Sequence, residues 1–130
     1  MHTITLDMSA GIIEVTVSGF WTEAHVADFG RDLHDAGVRM SMTGKPHSLL
    51  CDYTNAAIQS QTVVAALQAM VMNAKIKSRR VALFTSGQLA RQQARRVATV
   101  RDTMAVFDDR ASALDWLKGD EIEEYARAAG

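Results

Sequence analysis

The chain reads as a single α/β domain with a mixed, mostly parallel sheet and packed helices, and three observations lead there. β-rich and helical runs alternate along nearly the whole length in the order ββαβαβαβα, and a glycine turn joins the first two runs. The length of 130 residues suits one sizeable core rather than two. Alternation of this kind implies right-handed crossovers between parallel strands, with the opening hairpin adding an antiparallel edge.

Each element has its own signal. Thr3, Ile4, Thr5 and Leu6 form the first strand, Gly11 turns the chain, and Ile13, Val15 and Val17 line one face of the second. Thr22 precedes Glu23 and an apolar set at Val26, Phe29, Leu33 and Ala36, a helical spacing for which Gly37 supplies a left-handed cap. A loop from Val38 to Pro46 leads into the apolar run from His47 to Asp52, read as a buried strand that ends at Asp52. The second helix spans about Thr62 to Lys75, and the strand from Arg80 to Thr85 stops at Ser86-Gly87. Gln88 to Val100 is helical by composition and Thr103 to Phe107 has strand character. Asp108 caps a helix carrying Ala111, Leu114, Trp116 and Leu117. Gly119 stops that helix, and a C-terminal helical extension from about 119 places Ile122, Tyr125, Ala126 and Ala129 on one side. There is no internal repeat and no low-complexity segment.

Composition removes several classes. Apolar residues make up 48% and charged residues 22%, which fits a globular domain and excludes disorder. The N-terminal MHTITLDMSAG has neither a basic nor a continuous apolar region, and no window is long enough to span a bilayer, so a cytoplasmic protein with no membrane association is expected. Cys51 is the only cysteine, which rules out an internal disulfide, a CxxC pair and a cysteine zinc site. In its apolar run it reads as a small buried hydrophobe.

Charge is segregated rather than absent. Residues 1–52 carry −4 and residues 102–130 carry −5, whereas no acid stands between Tyr53 and Arg101, a stretch with a charge of +8. A cationic middle can meet an acidic partner, a phosphate or another copy of the chain. Nucleic acid is not expected, because no aromatic lies among the bases and the overall charge is −1.

Three stretches resemble a known family. Val17-Ser18-Gly19-Phe20-Trp21-Thr22-Glu23 is similar to the strand, glycine and helix start of the STAS domain, the fold of the anti-sigma factor antagonists. Leu49-Leu50-Cys51-Asp52 is similar to its central strand. The run from Val106 to Leu117 resembles the closing strand and helix of the small stand-alone SpoIIAA-like bacterial proteins. The resemblance implies a STAS-like (SpoIIAA-like) fold and a serine at the start of the second helix that a kinase phosphorylates. Here that region is Ile58-Gln59-Ser60-Gln61-Thr62, without the family's Asp-Ser-Ser-Gly or Asp-Ser-Thr-Gly pattern. Ser60 and Thr62 are the candidate acceptors, and either also reads as a plain N-cap.

Two surfaces could carry function. Ligands of parallel sheets bind beyond the carboxyl ends of the strands, which here gather Asp52, Asn55, Thr85, Ser86 and Gly87, with Arg91 in the following helix turn to meet an anion. The second surface is the second helix, apolar nearly all round, for which either a partner or the C-terminal segment from Ile122 to Ala129 would provide cover. Val64, Gln68, Val71 and Met72, extended by Met40 and Met42, form the expected contact patch of a homodimer or a regulatory partner. His25 and His34 lie half a helical turn out of phase and cannot share a metal. No catalytic signature, metal site or cofactor motif stands out. The expectation is a non-enzymatic regulatory or interaction module; the alternative is a small-molecule or anion-binding protein, or a weak enzyme, that uses the rim.

Overall fold

The computed structural model describes residues 1–119. The expected extension from about 119, and with it the segment Ile122 to Ala129, lies outside the described residues. Among those described, the elements follow as β1 (His2–Asp7), β2 (Ile12–Gly19), α1 (Glu23–Ser41), β3 (Ser48–Ala56), α2 (Gln61–Asn73), β4 (Val81–Phe84), α3 (Gln88–Ala98), β5 (Met104–Phe107) and α4 (Arg110–Leu117). None of these helices is long and apolar enough to cross a membrane.

Strand order in the sheet equals chain order. β1 pairs antiparallel with β2, and β2 to β5 are parallel neighbours. That order dictates where the helices lie. Each parallel connection steps one strand in the same direction, so the right-handed rule puts α1, α2 and α3 on one face, and α4, after the last strand, covers the other. Two cores result. Val15, Cys51 and Leu83 meet Val26, Phe29, Leu67 and Val97 on the three-helix side. Ile12, Leu50, Ala82 and Phe84 meet Ala113 and Leu117 of α4 on the opposite side. Because Cys51 pairs with Leu83 and Asp52 with Phe84, successive β3 residues alternate between the two cores.

Several boundaries depart from the sequence reading. α1 runs through Gly37 to Ser41. Gly37 serves close packing rather than a cap: a Cβ there would lie 3.2 Å from Cγ2 of Ile76, and one at Gly30 would lie 3.3 Å from Cγ of Met70. β3 does not end at Asp52 but continues to Ala56, because a bulge between Thr16 and Ser18 keeps β2 in register as far as Gly19 opposite Ala56. α4 is capped by Asp109, whose Oδ1 accepts from the Ser112 N–H at 2.8 Å, rather than by Asp108.

The second helix finds much of its cover inside the chain. α2 packs on α1 and α3, and its Val63, Val64 and Leu67 share a core cluster with Val15, Cys51 and Leu83 of the strands. Val64 and Met40, expected on an exposed contact patch, are 3% and 1% exposed and belong to the core. Gln68 is also occupied, since its Nε2 donates to the Arg96 carbonyl at the end of α3 at 2.7 Å. Val71 is half-buried against the core, which leaves Met72 and Met42 as the exposed members of that set.

Cations of the acid-free stretch also act within the chain. Arg79 donates to the Leu117 carbonyl at 2.7 Å and Arg80 to the Trp116 carbonyl, so two arginines close the C-terminal end of α4. The Arg80 guanidinium lies 4.9 Å from the centre of the Trp116 ring. Arg101 donates to the Ser78 carbonyl at 2.8 Å.

Candidate functional site

The residues expected at the strand ends do not converge on one anion. Asp52 is half-buried within β3, where its Oδ1 accepts from the Thr54 N–H at 2.9 Å. Asn55 is exposed near the end of the strand. Thr85 is buried, and its hydroxyl donates to the Tyr53 carbonyl at 3.2 Å, so it points away from the rim. Arg91 is already paired: its guanidinium lies 2.7 Å from Oδ1 of Asp108. Ser86 and Gly87 remain exposed at the start of α3, with Gly87 at φ 92°, a conformation that suits glycine. The expected anion rim is thus dispersed, because the Thr85 hydroxyl is turned inward and Arg91 is paired with Asp108, while Asn55, Ser86 and Gly87 stay exposed.

A buried amide cluster organises the same edge. Gln59 Oε1 accepts from the Trp21 N–H at 2.7 Å, while Nε2 donates to the carbonyls of Gly19 and Ala57 at 2.9 and 2.8 Å. One side chain therefore ties the β2–α1 loop to the β3–α2 loop. Gln93 of α3 continues the cluster. Its Oε1 accepts from the Tyr53 hydroxyl at 2.8 Å and from the Gln59 N–H at 3.2 Å, and its Nε2 donates to the Gln59 carbonyl at 3.1 Å. Burial raises the Tyr53 phenol to about 12, so it stays a hydrogen-bond donor.

What this clamp presents is apolar. Phe20, Ile58 and Leu89 are 67%, 49% and 69% exposed; Phe20 and Ile58 lie on the β2–α1 and β3–α2 connections and Leu89 in the first turn of α3, so all three follow the carboxyl ends of neighbouring strands. Phe20 lies between the two backbone groups of Gly19 and Trp21 that Gln59 holds, and Ile58 lies between Ala57 and Gln59 itself. Ser60 is beside them as the N-cap of α2, its hydroxyl accepting from the Val63 N–H at 3.2 Å, and Thr62 is exposed in the first turn. Large exposed apolar side chains gathered around a polar centre mark contact surfaces.

The remaining reactive groups are structural. Burial, followed by the Asp52 charge, pushes the Cys51 thiol up to about 12, which makes it inert. Trp21 is buried and stacks on His25 with ring centres 4.0 Å apart. His2 bridges His25 at 3.1 Å and Asp32 at 2.6 Å. Burial, then the N-terminal charge and His2, hold His25 below its ordinary range. Among the described residues, no group of three or more His, Cys, Asp or Glu is placed to hold a metal.

Beneath α2 lies an open-mouthed cavity of about 450 Å³, bounded by α1, α2, α3 and the sheet. Ile13, Leu67, Met70, Leu83 and Val97 supply much of its wall. This explains how a helix apolar nearly all round fits the chain: its flanks meet α1 and α3, and its underside faces an apolar chamber. The size is within the range of small-molecule sites, roughly 300–1,000 Å³.

Sequence reading had missed the apolar triad, the two glutamines and the cavity. The triad had one readable signal, a large hydrophobe between each of three parallel strands and the first turn of the helix that follows. The glutamines had none, because they come from segments that only the fold brings together.

Strand order and helix placement give an α/β domain with a SpoIIAA-like fold. Solved structures agree. A protein of the DUF3478 family with a SpoIIAA-like fold from Shewanella loihica PV-4 superposes with a TM-score of 0.65 at 19% identity, over 90% of this chain and 92% of that one. An anti-sigma factor antagonist from Mycobacterium paratuberculosis gives a TM-score of 0.56 at 16% identity, over 91% of this chain and 95% of that one. No protein-family model and no curated protein matches the sequence.

Proposed function

We propose that the chain is a non-enzymatic regulatory module of the cytoplasm that binds another protein through the edge formed by Phe20, Ile58, Ser60 and Leu89. The observation that carries this reading is the clamp of Gln59, which fixes the loops bearing Phe20 and Ile58 while both side chains stay exposed. Rigid presentation lowers the ordering cost of association. The solved anti-sigma factor antagonist of similar fold supports a protein partner.

On this reading Ser60 and Thr62 are the points of control. A phosphate on Ser60 would meet the N–H groups of the first turn of α2 and would put negative charge in the centre of an apolar contact. Homodimerisation, if it contributes, uses Met42 and Met72, the exposed pair of the expected patch. The test is affinity capture from the native cells with the wild-type chain and with a Phe20→Asp, Ile58→Asp variant. A partner retained by the wild type and lost by the folded variant supports the reading. Equal retention by both removes it.

A further inference from the structure

We propose that the cavity beneath α2 binds a single-chain amphiphile with a carboxylate head, a molecule of the fatty-acid class. The cavity shares Gln59 and Trp21 with the clamp behind the partner edge, but its mouth and its test use Lys75 and Ala94, which the edge does not. Three features of the cavity define the ligand. Its wall is apolar on both sides, from Leu67, Met70 and Val71 of α2 to Ile13, Cys51 and Leu83 of the strands. Its deep end, near Trp21, Tyr53 and Gln59, offers little to a polar group, because the Tyr53 hydroxyl and the Gln59 amide are engaged with protein partners. An alkyl tail belongs there.

The mouth has the opposite character. The lining residues that are exposed are His34, Asn73 and Lys75, which places the opening where α1, the end of α2 and the segment after it meet. Arg101 and Ser78, half-buried, lie on the same lining. Among the described residues, no aspartate or glutamate lines the cavity. Lys75 and Arg101 both come from the acid-free stretch. A half-buried guanidinium and an exposed ammonium on the same lining, with no carboxylate among its described residues, favour an anionic head. The volume, about 450 Å³, suits one chain rather than a two-chain lipid. Met70 gives the wall the adaptability that a flexible chain requires.

The experiment is native mass spectrometry and calorimetry on the delipidated full chain, with octanoate, decanoate and laurate, and with dodecanol and laurylamine as head-group controls. One laurate per chain is expected, and affinity should rise about fourfold per added methylene until the chamber is filled. Laurylamine should bind more weakly than laurate, and Lys75→Glu should weaken laurate roughly two- to fivefold while leaving dodecanol unchanged. Ala94→Leu, which fills the wall, should abolish binding. Because Lys75 is exposed, its variant remains informative if Ala94→Leu misfolds. The proposal is overturned if no chain length binds saturably, if laurylamine equals or exceeds laurate, or if a folded Ala94→Leu protein binds as the wild type does.

Discussion

Replacing Gln59 by alanine tests the edge most severely, because one side chain makes three hydrogen bonds between two loops. The loss would leave the Trp21 N–H and the carbonyls of Gly19 and Ala57 without their present partner. At about 0.5–1.5 kcal/mol per bond, the three together are worth roughly 3 kcal/mol. Burial of the donor and acceptors works against replacement by water. In urea, a slope of about 1–3 kcal/mol/M converts that loss into a midpoint lower by about 1–3 M, with the slope itself unchanged. Hydrogen exchange should accelerate at Trp21 and at the N–H groups of residues 57–60 more than in β3. A Gln59→Glu variant keeps an acceptor for Trp21 but sets a carboxylate oxygen against two carbonyls, so it should not restore stability. A loss below about 0.5 kcal/mol with unchanged exchange would show that the clamp does not hold these loops.

Other consequences can be checked directly. Arg80→Ala removes a cap on α4 and the contact with the Trp116 ring, and chemical denaturation should show a loss of about 1–3 kcal/mol; no change would sink that role. His47 is held neutral by burial, below its ordinary value of 6.5. The unfolded chain therefore takes up the proton first as pH falls. Its contribution is full above about 6.5 and is lost as pH drops towards the folded value. Stability measured at pH 7.5 should exceed that at pH 5.5, by a margin that narrows in a folded His47→Gln variant. Cys51, with a buried thiol near 12, should resist iodoacetamide at pH 8 and react once urea unfolds the chain; rapid labelling of the folded protein would contradict its burial. Met72→Asp should leave the fold intact and yield monomers if Met72 seals a dimer, whereas light scattering that still shows dimers would move the contact elsewhere.

Element order was legible because each run has a period that matches its structure, and a strand or helix needs only its own residues to announce itself. Glycine was harder. Gly37 read as a stop because φ freedom and close packing leave the same mark in a sequence, and only the approach of Ile76 separates them. Adjacent acids made the last cap ambiguous: Asp109 took the helix while Asp108 went to Arg91. Arg79 and Arg80 close a helix more than thirty positions away, so their charge suggested a binding surface when it was partly an internal device. The apolar circumference of α2 was correctly unusual, but its explanation lay in two flanking helices and a chamber, none of which a helical projection displays. Gln59 and Gln93 left no periodic trace, since a glutamine engaged in the interior looks like any surface glutamine.

The most direct measurement of the central claim is site-specific photo-crosslinking in the native cells, with a photoreactive phenylalanine analogue placed in turn at Ile58, at Leu89 and, as a control on the opposite side of the sheet, at Thr5. The account predicts a discrete crosslinked protein at Ile58 and Leu89 and none at Thr5. Crosslinks at Thr5 with none at the two edge positions would contradict it.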